Sequence, residues 1–111
     1  MKLSVSASAY RDIDRAAAFF DRKQPGLGAQ FIIEVDRMLA VLRLNPWLGQ
    51  RLDDTWRRVH LHQFPYTLIY KFNDRNDSIC ISVVYHQHRR PEFWRNRVEE
   101  AIPDYVIPRA A

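Results

Sequence analysis

Apolar and polar residues alternate or recur along this chain in two distinct periods, and the change of period predicts its elements. From Lys2 to Ala7, Leu3 and Val5 alternate with polar neighbours, which predicts a short opening strand. The period then lengthens. Ile13, Ala16, Ala17 and Phe20 recur at helical spacing, with Ser8 as the expected cap and an end near Lys23. Gln24-Pro25-Gly26-Leu27-Gly28 breaks that helix. Phe31, Val35, Met38, Leu39 and Leu42 form the stripe of a second helix that stops before Asn45-Pro46. Two amphipathic helices joined by a short loop predict an αα-hairpin. Asp12, Asp14 and Asp21 read as the solvated face of its first helix.

Beyond a loop from Pro46 to Thr55 the period shortens to two, in three runs rich in β-branched and aromatic residues. Val59 and Leu61 alternate with Arg58, His60 and His62. Leu68, Tyr70 and Phe72 alternate with Thr67, Ile69 and Lys71. Ile79, Ile81, Val83 and Tyr85 alternate with Cys80, Ser82, Val84, His86 and His88. Asn73 to Asp77 is a hairpin turn between the last two runs. A final helix is expected from Glu92 to Ala101, stopped by Pro103. The fold class is therefore α+β: an opening strand, a helical hairpin, three antiparallel strands and a short C-terminal helix. The hairpin is expected on the face bearing Val59, Leu61, Leu68, Tyr70, Ile79, Ile81 and Val83. Burying each such side chain stabilises by roughly 1.5–3 kcal/mol, so a one-residue slip would not persist. The opposite face is expected to remain exposed.

That second face carries the candidate chemistry. Residues two apart on a strand share a side, so His60 with His62, and His86 with His88, are each presented as a pair beside Arg58, Arg89 and Arg90. Imidazoles can carry protons near neutral pH while arginines stabilise a phosphate, a combination suited to RNA cleavage. His60, His62, His86, His88 and Arg58 are the catalytic candidates if the chain is a nuclease. No acidic group on the same faces would orient the rings around a metal, so neither metal nor other cofactor is expected. Tyr66 and Trp94 are candidates for stacking.

Composition narrows this picture. With 111 residues the chain reads as one domain, residues 1–111. Its net charge of +4 and pI near 9.6 favour an acidic partner. Fourteen of its seventeen cations are arginine, which grips carboxylate or phosphate in two places where lysine grips in one. Cys80 stands alone in a strand pattern and reads as a buried, inert thiol. No long apolar run suggests a membrane span or signal peptide, so cytoplasm is expected. There is no phosphate-cradling Gly-rich loop, no Gly-x-Ser-x-Gly elbow and no Cys-x-x-Cys pair.

The helical hairpin, the loop Asn45-Pro46-Trp47-Leu48-Gly49, the run from Phe64 to Tyr70 and the ending from Val84 to Trp94 together resemble the RelE/ParE superfamily. These are small basic toxins of type II toxin–antitoxin modules. The resemblance covers roughly Leu3 to Arg97 and implies a β-α-α-β-β-β fold neutralised by a cognate acidic antitoxin. It implies one of two targets, messenger RNA on the ribosome (RelE-like) or DNA gyrase (ParE-like). RelE-like nucleases resemble one another in a basic residue after the aromatic that opens the middle strand, where this chain has Thr67. Phe93 lies nearest their C-terminal tyrosine. The His-x-x-Arg-x-Pro-x-x-Trp ending, His86 to Trp94, looks more like the ParE and plasmid-stabilisation side. The expected function is thus a gyrase-poisoning toxin. The alternatives are a ribosome-dependent endoribonuclease using the His/Arg face, and a non-toxic interaction module of the same fold. Arg58, Tyr66, Arg89, Arg90, Trp94, Arg95 and Arg97 are the expected partner-binding residues.

Overall fold

In the computed structural model, which describes residues 1–90, 92–100 and 106–108, strand β1 (Lys2–Ser6) runs directly into helix α1 (Ala7–Lys23). No linker separates them, so the cap is Ser6 rather than Ser8: its hydroxyl accepts from the Ala9 N–H at 3.1 Å. Gly26 turns the chain at φ +90, a conformation open to glycine, and α2 (Leu27–Leu44) follows. Then come β2 (Gln50–Arg51), β3 (Trp56–His60), β4 (Tyr66–Asn73) and β5 (Ser78–His86). Helix α3 spans Phe93–Glu100, and β6 is Val106–Pro108. The expected stop at Ala101 to Pro103 lies outside the described residues.

The architecture is the expected α+β one, with one open sheet in the order β2-β3-β4-β5-β1-β6. Neighbouring strands are antiparallel except β1, which lies parallel to β5, with Leu3 beside Ile79 and Val5 beside Ile81. Helices α1 and α2 cover one face. Val5, Phe31, Leu42, Leu68, Tyr70, Ile79 and Ile81 are sealed there from solvent. An aromatic cluster of Phe20, Phe31, Phe64 and Tyr66 closes one end, with ring centroids 4.9–5.8 Å apart.

Four expectations about facing and burial require correction. The register between β4 and β5 shifts at Ile69/Tyr70: Tyr70 sits opposite Ile81 and Ile69 opposite Val83, leaving Ser82 as the extra residue. Such a bulge reverses the facing of every residue beyond it. Val84 therefore enters the main core, and Val83 turns to the other side. That other side is not bare either. Helix α3 lies on it, and Ile69, Val83, Tyr85 and Trp94 form a second buried cluster flanked by Leu52, Trp56, Phe93 and Val98. Cys80 is half-buried rather than buried.

Asp12 is the fourth correction. It is not solvated. Its carboxylate accepts the Val84 N–H at 3.0 Å and binds the Arg97 guanidinium through both oxygens, at 2.9 and 3.1 Å. Where β1 leaves the sheet to become α1, β5 loses its neighbour, and Asp12 takes up a backbone donor left open on that edge.

Candidate functional site

The bulge that moves Val83 also divides the histidines. Thr67 and Tyr66 are consecutive in β4 and point to opposite faces. His60 pairs with Thr67, and its Nδ1 lies 2.6 Å from the Thr67 hydroxyl on the α3 side of the sheet. His86 pairs with Tyr66 on the side of the helical hairpin, their rings 5.2 Å apart. His62 lies beyond the end of β3, exposed, its backbone N–H donating to Glu34 at 3.3 Å. His88 lies in the turn after β5, its ring 4.6 Å from that of His86. The single imidazole-rich face expected from sequence is therefore absent, and two separate sites replace it.

The first site lies on the α3 side. Arg58, His60, Thr67 and Tyr85 share that face by register, and the Arg58 guanidinium donates to the Gln50 side chain at 2.9 Å. Burial pushes the Tyr85 phenol above its ordinary pKa, with Arg58 only partly opposing. It is consequently protonated at neutral pH and poor as a base. Thr67 is almost wholly buried, and His60 is exposed. Thr67 holds the ring in place without meeting a ligand.

The second site is a cleft of about 200 Å³ among α1, the end of β5 and the start of α3, lined by Tyr66, His86, Arg89 and Arg97 among others. Burial, then His88, then Arg89, hold His86 below its ordinary pKa. Its Nδ1 accepts the His88 N–H at 3.0 Å, an arrangement that requires this nitrogen to be unprotonated. Burial likewise raises Tyr66, against the pull of Arg89.

Among the described residues, the basic C-terminal side chains divide into exposed ones and ones held in ion pairs. Arg89 and Arg90 are exposed, with Arg89 4.7 Å over the Phe93 ring, and both line a second concavity beside Asn96. Arg95 pairs with Asp53 at 2.7 Å and stacks on Trp94; Arg97 is held by Asp12. These two ion pairs fasten α3 to the loop before β3 and to α1. Asp53 also accepts the Thr55 and Trp56 N–H groups, and the Arg95 bond above all holds its carboxyl below the ordinary range. Trp94 is buried in the second cluster, where it belongs to the core as folded.

Tyr85 and Asp12 escaped sequence reasoning. The uninterrupted run Val83-Val84-Tyr85 was the available signal for Tyr85, since a strand buried on both faces loses its alternation. Asp12 falls on the Ala9–Asp12–Ala16 line of α1, an inward position at helical spacing. Among the described residues no group of three or more His, Cys, Asp or Glu could hold a metal ion, and no helix is long and apolar enough to cross a membrane.

No curated protein matches this chain. Residues 3–91 match the family described as the ParE toxin of the type II toxin–antitoxin system parDE, a span that includes the hairpin, the sheet through β5 and all four histidines. The chain belongs to the ParE toxin family, and with that family it has an antitoxin partner.

Proposed function

We propose that this toxin acts by binding and poisoning DNA gyrase, with no covalent chemistry of its own. The observation that carries the reading is the separation of His60 from His86 on opposite faces of the sheet. General acid–base cleavage needs an acid and a base converging on one scissile bond. Here the ring at His60 leans on a buried threonine on one face; in the other cleft His88 stands 4.6 Å from His86, but the His86 Nδ1 is occupied by the His88 N–H. The exposed residues Arg89 and Arg90, beside the fastened helix α3, suit an interface with a few anchors better than a reaction centre. In the same reading an acidic antitoxin segment engages Arg58, Arg89 and Arg90 and so masks the toxin.

A RelE-like nuclease is the second reading. It is favoured by the Thr67–His60 contact, which fixes an exposed imidazole on the same face as Arg58. Induced expression separates the two. Gyrase-dependent DNA breaks with intact messenger RNA support the first reading; ribosome-dependent cleavage abolished by His60→Ala supports the second.

A further inference from the structure

The loop between α2 and β2 is fixed with unusual thoroughness for a surface segment. The buried Tyr70 hydroxyl donates to the Pro46 carbonyl at 2.8 Å and accepts the Gly49 N–H at 2.8 Å. From the other side Arg57 donates to the Gly49 carbonyl at 2.9 Å and to the Trp47 carbonyl at 3.3 Å. Its guanidinium also lies 5.1 Å from the Trp47 ring, which rests 4.7 Å from Phe72. What these contacts hold in place is apolar and exposed. Trp47 is 57% exposed and Leu48 49%, continuing from Leu44 at 89% and Val41 at 42% at the end of α2. Solvation alone gives no reason to immobilise such side chains. A partner does, because an anchor fixed beforehand loses little conformational freedom on binding.

The charge around the patch identifies the occupant. Among the described residues the hydrogen bonds of Arg57 go to carbonyl oxygens, and Arg43 donates to the Met1 carbonyl at 3.2 Å. Neither forms an ion pair with a carboxylate among the described residues. A second copy docked two-fold through the same patch would bring these guanidiniums against their own equivalents. An amphipathic segment with apolar side chains for the patch and carboxylates for Arg43 and Arg57 would satisfy both.

We infer that the Leu44–Trp47–Leu48 patch is a docking surface for an acidic, apolar segment of the antitoxin, separate from the Arg89–Arg90 segment. It lies at the Trp56 end of β3, whereas the histidine sites lie at the His60 end. The inference rests on the family's antitoxin partner and is independent of whether the target is gyrase.

The test is calorimetric titration of the full-length toxin with the antitoxin encoded beside it, using Trp47→Ala and Leu44→Ser. Both residues are exposed, and unchanged circular dichroism and melting would certify the fold. The expected result is at least tenfold weaker binding for Trp47→Ala, with Arg43→Gln lowering the salt dependence. Growth inhibition by Trp47→Ala without antitoxin should persist, so failure of the toxin reading shows up separately as wild-type protein that does not inhibit growth. Affinity within twofold of wild type overturns the inference. So does a wild-type dimer in sedimentation that Trp47→Ala dissolves, or binding of single-stranded RNA that depends on Trp47 while antitoxin binding does not.

Discussion

The Thr67 hydroxyl and His60 Nδ1 lie 2.6 Å apart, joining a buried residue of one strand to an exposed ring on the next. Threonine has no charge to lend, so it orients the imidazole without tuning it as a carboxylate would. Replacing Thr67 by Val removes this bond at nearly constant volume and should cost about 1 kcal/mol, as for an ordinary hydrogen bond. If the protein works by binding gyrase, Thr67→Val and His60→Ala should both leave growth inhibition within a few-fold of wild type. Dose–response growth curves at matched expression read this directly. Abolition by either change would move the function to the α3 side of the sheet.

Asp12 joins α1, the open edge of β5 and α3. Asp12→Ala strands the Val84 N–H and leaves Arg97 without its counter-ion. Loss of these partly buried bonds should destabilise by about 2–3 kcal/mol. For a chain of this size that is roughly a 10–20 °C fall in melting temperature. Asp12→Asn should recover part of it, since one amide oxygen still accepts from Val84. A melting temperature within 3 °C of wild type for Asp12→Ala would mean that α3 is held by its apolar contacts alone.

Gly49 has no room to grow. A Cβ there would stand 2.4 Å from the Tyr70 hydroxyl, itself buried and bonded on two sides. Gly49→Ala should therefore push the loop away and cost about 1–3 kcal/mol through overpacking. Tyr70→Phe should destabilise by a similar amount by orphaning the Gly49 N–H, yet it removes the nearest of the clashing atoms, leaving the ring carbons Cε1 and Cζ at 2.7 and 2.8 Å from such a Cβ. The double variant should consequently be more stable than the sum of the two losses predicts, a coupling that a chemical-denaturation cycle measures.

His86 gives acid sensitivity of a definite sign. Its folded-state pKa is depressed, so the folded protein binds that proton less readily than the unfolded chain. The stability involved is fully present above the ordinary histidine value of about 6.5 and is lost as pH falls through the lower folded value. His86→Asn keeps an acceptor near the Nδ1 position and cannot titrate. Its melting temperature should decline less than that of wild type between pH 7 and pH 5. Equal slopes would place the acid sensitivity elsewhere.

Much of the fold was legible because long periods survive local irregularity. The two helices span Ala7–Lys23 and Leu27–Leu44, close to where Lys23 and Asn45-Pro46 placed their ends. The facing of β5 was not legible, because the single extra residue at Ser82 reverses all later side chains and leaves the hydrophobic content unchanged. That one displacement puts Val83 under α3 and sends His86 to the opposite side from His60. Asp12 was misread for a related reason: a carboxylate on a helix is ordinarily solvated, and only the departure of β1 from the sheet gives it a backbone donor to accept. Arg89 and Arg90 are exposed as a run of basic residues suggests, whereas the bonds that occupy Arg95 and Arg97 depend on partners 42 and 85 residues away in sequence.

The carboxylate that occupies the Val84 N–H also restricts how other chains can attach. An exposed strand edge invites pairing with any extended peptide, including another copy, and is a common start of aggregation. At Val84 the rung is taken by a side chain of the same molecule, and the edge stays closed for as long as Arg97 holds that carboxylate in place. A strand-adding visitor must first displace an ion pair, so the edge is guarded by two residues that also help to fasten the last helix.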